Sequence, residues 1–199
     1  DEKSAEEIQK KIRSMVFDYV ENMNVYISVN ANENVGFEKL GSNIVLVQWP
    51  ENGHYYLFDK VGLPWVGAYN QAKKIKLAGQ KGYLITISST EEADYLKRIV
   101  GNTTEGAWTS GTRTVQDSSK KKYNDSDVIT DTIRWDDEVN TPTRGYYWAC
   151  GPETQTPVAT NLWYPGEPIC GSNVHAAIEP AMNYKLNDDN NVYGDLVRR

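Results

Sequence analysis

From Ala107 to Arg199 the chain carries no helical period, so half of it is confined to sheet and loop. Short aromatic and β-branched runs follow one another there: Ala107-Trp108-Thr109, Thr132-Ile133-Arg134-Trp135, Gly145-Tyr146-Tyr147-Trp148, Val174-His175-Ala176-Ala177-Ile178 and Val192-Tyr193. Long stretches rich in Gly, Pro, Asn and Asp separate them. Helical spacing belongs to the first half. Ser4 and Glu7 form a capping box ahead of Ile8, Ile12, Met15, Val16 and Tyr19, which predicts an amphipathic helix ending near Asn22. Ala68, Ala72 and Ile75 line one face of a second helix that stops at Gly79. A further capping box, Ser89 with Glu92, opens a helix carrying Leu96, Ile99 and Val100. Strands are expected at Val25–Val29, Asn43–Val47 and His54–Phe58, with a buried run at Leu84–Ile87. Helices segregated from strands in this way predict an α+β fold. The turn residues Pro50-Glu51-Asn52-Gly53 place a boundary between a small helix-plus-strands unit, 1–50, and a larger domain, 53–199.

Charge and motif content narrow the function. Asp and Glu number 27 against 21 Lys and Arg, a net charge of −6, so the basic surface that nucleic acid or an anionic membrane needs is not evident. No apolar run approaches the roughly 20 residues of a membrane-spanning helix. The chain starts at Asp1 without a signal-type segment and is expected to be a processed or trimmed piece of a longer product. His54 and His175 are the only histidines, and no Gly-x-Ser-x-Gly elbow or phosphate loop occurs. The adjacent acids Asp136 and Asp137 would face opposite sides of a strand. Catalysis is therefore not expected. The aromatics, 13 Tyr and 6 Trp against 3 Phe, carry polar edges, which suits recognition. Trp108, Trp135, Trp148 and Trp163 are expected to pack the core and the base of a loop. Trp163 and Tyr164 are also candidates for stacking on the apolar face of a sugar. Cys150 and Cys170 have no Cys-x-x-Cys or Cys/His cluster around them, which argues against zinc and leaves a disulfide or two free thiols. Asn102 and Asn124 begin sequons that matter if the chain is secreted, and Lys120-Lys121-Lys122 reads as an exposed hairpin tip.

The order of signals in residues 53–199 resembles a C-type lectin-like domain. The matching pieces are the Ala68–Ala78 helix, the join from Gly82 to Glu92 into the next helix, and Ala107-Trp108. The later ones are Gly145-Tyr146-Tyr147-Trp148 with Gly151-Pro152-Glu153, Asn161-Leu162-Trp163-Tyr164-Pro165-Gly166-Glu167-Pro168, and Leu186-Asn187-Asp188. The resemblance implies two helices, mixed antiparallel sheets and a long loop that engages sugar hydroxyls, in an extracellular or cell-surface setting; a receptor or adhesion contact with a protein at a calcium-independent site is the alternative. It also implies calcium held by Glu167, Asn187 and Asp188, since calcium takes six to eight hard oxygens and Asn187 lies twenty residues beyond Glu167 as the family requires. The family's proline here is usually cis. This sequence departs from the pattern at several places. Ile169 replaces an oxygen ligand after Pro168, and His175, a candidate for the ligand-binding site, stands where another acid is common. Leu186 stands where tryptophan usually precedes the Asn-Asp pair, and Ala176 stands where a cysteine is usual. Cys150 and Cys170 instead bracket the long loop, and a bridge between them is expected to hold it, with roughly 3 kcal/mol of loop-closure entropy behind it.

Overall fold

The structure, a computed structural model, describes residues 38–40, 44–48, 54–77, 80–101, 106–130, 132–190 and 193–198. The expected first helix, the strand at Val25–Val29, the stop at Gly79 and the Asn102 sequon lie outside these residues.

The early strands β1 (Glu38–Leu40), β2 (Ile44–Gln48) and β3 (Tyr55–Leu63) form an antiparallel meander. Pro64 ends β3 and opens α1 (Trp65–Ala72), whose Trp65, Ala68, Tyr69 and Ala72 are buried at helical spacing. The helix starts three residues earlier and ends earlier than its alanine periodicity predicts. Ile75 still continues the buried face from the turn that follows. Next come β4 (Lys76–Leu77), β5 (Gln80–Lys81), β6 (Tyr83–Leu84) and α2 (Thr90–Gly101). The Ser89 hydroxyl caps α2 by accepting the Glu92 N–H at 3.1 Å. Glu92 returns the favour one residue early, accepting the Ser88 N–H at 2.7 Å, and also takes the Tyr56 hydroxyl at 2.9 Å.

The remaining strands are β7 (Ala107–Thr112), β8 (Thr114–Val115), β9 (Ile133–Arg134), β10 (Tyr147–Trp148), β11 (His175–Glu179), β12 (Lys185–Asp189) and β13 (Tyr193–Arg198). The main sheet runs β1-β2-β3-β13-β7-β11-β12, with β10 on β7 and β6 on β13. Among these pairings β13 with β7 is parallel and the rest are antiparallel. Among the described residues two α-helices and a mostly antiparallel sheet give the expected α+β class.

Alternation along the strands divides the core in two. Leu57, Trp108, Tyr147 and Ala177 join the cluster that holds the α1 residues Trp65, Ala68 and Tyr69. Their neighbours Tyr56, Phe58, Ala107, Tyr146, Trp148, Ala176 and Ile178 join the cluster that holds Tyr95 and Leu96 of α2 and the loop residues Leu162 and Trp163. The sheet is thus covered on both faces, which explains strands such as β7 that are buried at every position. The lysine tip is exposed at Lys120 and Lys121, while the Lys122 ammonium lies 4.7 Å from the Trp135 ring.

Candidate functional site

The long loop leaves Trp148 at the end of β10, passes a 3-10 turn at Thr160–Leu162, and returns to the sheet at β11. At its far end the Glu167–Pro168 peptide is cis. Asp188, on β12, is 1% exposed and holds this end of the loop. Its Oδ1 accepts the Ile169 N–H at 3.1 Å, and its Oδ2 accepts the Cys170 N–H at 2.7 Å and the Tyr146 hydroxyl at 3.1 Å. A carboxylate with three donors is well compensated for its burial. The Ile169 N–H is shared with Glu167, whose Oε2 lies 3.0 Å away. Partial burial raises the Glu167 carboxyl to about 7, and a hydrogen bond to Asp188, together with its charge, adds to the effect.

The other expected site residues are elsewhere. Asn187 and Asp188 are adjacent on a regular strand, so they take opposite faces: Asn187 pairs with Ala177 and Asp188 with Ala176. The Asn187 amide donates to Glu179 Oε1 at 2.9 Å. His175 is a core residue, contrary to its expected place in the ligand site. Its ring stacks on Trp65 with centroids 4.2 Å apart, its Nδ1 lies 3.0 Å from the Thr112 hydroxyl, and burial lowers its pKa to about 3. Trp163 is 4% exposed and packs edge-on against Tyr146, so it cannot serve as a stacking platform. Tyr164, at 36%, is open to solvent. Asn124 is half-buried, with its Oδ1 accepting the Ser126 N–H at 2.9 Å.

The expected bridge is absent, and both cysteines are free and buried. The two-sided core explains it. Cys150 lies in the α1 cluster, donating to the Leu84 carbonyl at 3.3 Å, whereas Cys170 lies in the α2 cluster. The thiols belong to opposite faces of the sheet.

This donor set does not fit a calcium shell. Both Asp188 oxygens are already committed to protein donors, the Asn187 amide is turned to Glu179, and Ile169 offers no oxygen. Among the described residues no group of three metal-ligating acidic, His or Cys side chains occurs. Beside the Glu167 carboxyl the loop exposes an apolar side chain. Ile169 is 68% exposed, and Ile133 of β9 is 42% exposed. Arg134, next to Ile133, ties that hairpin to the same loop by donating to the Gly171 carbonyl at 2.9 Å. The sequence reading missed Ile133 and Arg134, because a two-residue strand carries too little pattern to show what it faces.

The helix order, the sheet joining β3 to β13 and the cis Glu167–Pro168 peptide beneath the long loop agree with the family resemblance seen in the sequence. The fold is C-type lectin-like. No protein-family model matches the chain, and no curated protein matches it. Among solved structures it is similar to herring type II antifreeze protein, at 15% identity over 85% of this chain and 98% of that one, with a TM-score of 0.48. It is also similar to the mouse scavenger receptor C-type lectin carbohydrate-recognition domain, at 17% identity over 73% and 89%, with a TM-score of 0.46. A third is the C-type lectin CEL-I from Cucumaria echinata, at 14% over 73% and 89%, again with 0.46. Such distant overlaps carry nothing about ligands. The C-type lectin-like reading rests on the chain's own motifs and topology.

Proposed function

We propose that this chain is an extracellular, non-enzymatic recognition module that engages a cell-surface protein through the end of its long loop, without calcium. Exposed Ile169 supports the reading: Glu167 accepts its N–H, and Arg134, paired with Asp136, reaches the same loop at the Gly171 carbonyl. An apolar centre with a charged rim is the anatomy of a protein-binding patch. No helix among the described residues is long and apolar enough to cross a membrane. A sugar ligand is the second reading. It is favoured by Tyr164, whose side chain is open to solvent at the turn that its backbone carbonyl closes by accepting the Glu167 N–H at 2.9 Å.

The test is binding of the labelled chain to a panel of animal cells, with Ile169→Glu beside the wild type. The proposal expects binding that survives EDTA and glycosidase treatment, is lost after protease treatment of the cells, and falls at least tenfold with Ile169→Glu. Loss after glycosidase would establish the sugar reading instead. Loss in EDTA would restore calcium to the site and overturn both.

A further inference from the structure

A groove of about 250 Å³ runs between α2 and the β11–β12 hairpin, apart from the exposed patch of the long loop. Its floor is apolar, including Leu162, Ile178 and Leu186, and its rim carries Lys97 and Lys185. In a chain of net charge −6 these two ammonium groups lack acidic partners among the described residues. Lys97 reaches only the Asn183 Oδ1 at 3.3 Å and the Tyr184 ring at 5.7 Å, and Lys185 donates to the Asn161 carbonyl at 3.2 Å. These are weak, neutral contacts at exposed side chains, easily exchanged for a carboxylate. One acid, Asp94, also lines the groove, so the rim keeps a net positive charge.

The turn that closes the groove is itself unusual. Asn183 and Tyr184, which follow the 3-10 turn Pro180–Met182 and lead into β12, both hold left-handed backbone, with φ of 54° and 59°. Asparagine tolerates this conformation, but tyrosine is strained in it. The strained turn puts both side chains on the groove wall.

We infer that this groove is a second binding site, for an acidic monosaccharide: a sugar ring bearing a carboxylate. The carboxylate takes Lys97 and Lys185, the amides of Asn161 and Asn183 with the Thr90 hydroxyl take ring hydroxyls, and the apolar face of the ring lies on the floor. Room is adequate, since a cavity of about 150 Å³ already admits benzene. The site stands independently of the loop surface proposed above.

The experiment is an amide-shift NMR titration of the full chain with sodium glucuronate, with glucose and acetate as separate arms. Glucuronate is expected to move the amides of Asn161, Tyr184 and Lys185 at millimolar concentration, with glucose and acetate at least tenfold weaker. Lys97→Gln and Lys185→Gln, both at exposed positions, are each expected to weaken glucuronate about tenfold while leaving the rest of the spectrum in place. No shift at up to 50-fold excess over millimolar protein, or equal shifts with acetate, would overturn the inference. So would binding unchanged in both variants. Shifts confined to Tyr164, Glu167 and Ile169 would overturn it too, and would point back to the loop surface.

Discussion

Asp188→Ala is the perturbation with the best-defined cost. The carboxylate serves three donors: the Ile169 and Cys170 N–H groups and the Tyr146 hydroxyl. In the variant the Ile169 N–H retains Glu167 Oε2 at 3.0 Å and the Tyr146 hydroxyl retains the Asn173 carbonyl at 3.1 Å, so one donor, the buried Cys170 N–H, loses its acceptor. An unmet buried donor costs about 1–3 kcal/mol. For a chain of this size about 2 kcal/mol corresponds to a fall in Tm of roughly 4–8 °C. Asp188→Asn separates acceptor loss from charge loss. With its oxygen at the Oδ2 position it still serves Cys170 and Tyr146, and its amide faces the one N–H that Glu167 also satisfies. The cost is then the weakening of two charged bonds to neutral ones, about 1–2 kcal/mol. Urea unfolding followed by tryptophan fluorescence measures both. An Asp188→Ala variant within about 0.5 kcal/mol of the wild type would refute the idea that this carboxylate fastens the loop.

Two further predictions concern titration and redox state. The Glu167 carboxyl is raised to about 7 in the fold, by partial burial and by Asp188, so between its ordinary value and 7 the folded chain holds a proton that the unfolded chain has lost. Stability should therefore be full in mild acid and fall as pH rises through 7. Glu167→Gln should flatten that fall in melting curves taken from pH 5 to 8, and a variant with the wild-type slope would remove Glu167 as the cause. The Cys150 thiol, raised to about 12 by burial, should resist iodoacetamide in the native chain. Both cysteines should alkylate in urea without reductant, and an unreduced mass short by two hydrogens would refute the free-thiol arrangement.

The fold was legible wherever a local signal was strong. The Ser89 cap fixed the start of α2, and the aromatic runs marked β7, β10 and β11. The site was less legible, for two reasons. Motif spacing places Asn187 and Asp188 together in the chain, but a strand sends adjacent residues to opposite faces, and only Asp188 meets Glu167. The rule that separates Asp136 from Asp137 applies equally here. Burial is the second reason. Whether Trp163 or Cys170 faces solvent depends on how the long loop lies against the sheet, and whether His175 does depends on where α1 sets Trp65; no local pattern records either.

The structure assigns the loop's attachment to protein groups. In a calcium-held loop a cation draws carboxylates and amide oxygens together and pulls a distant strand onto the loop. Here a single carboxylate reaches from β12 to two successive loop N–H groups, while the Tyr146 hydroxyl joins it from the residue preceding β10. The Asn173 amide reinforces the attachment, donating to the Asp188 carbonyl at 2.8 Å. A loop fastened from inside no longer needs an oxygen at position 169, and that position is free to carry an exposed isoleucine. On the proposed reading Ile169 is the apolar centre of the contact surface and Asp188 holds its backbone in place, so Asp188→Ala should weaken partner binding as well as the fold.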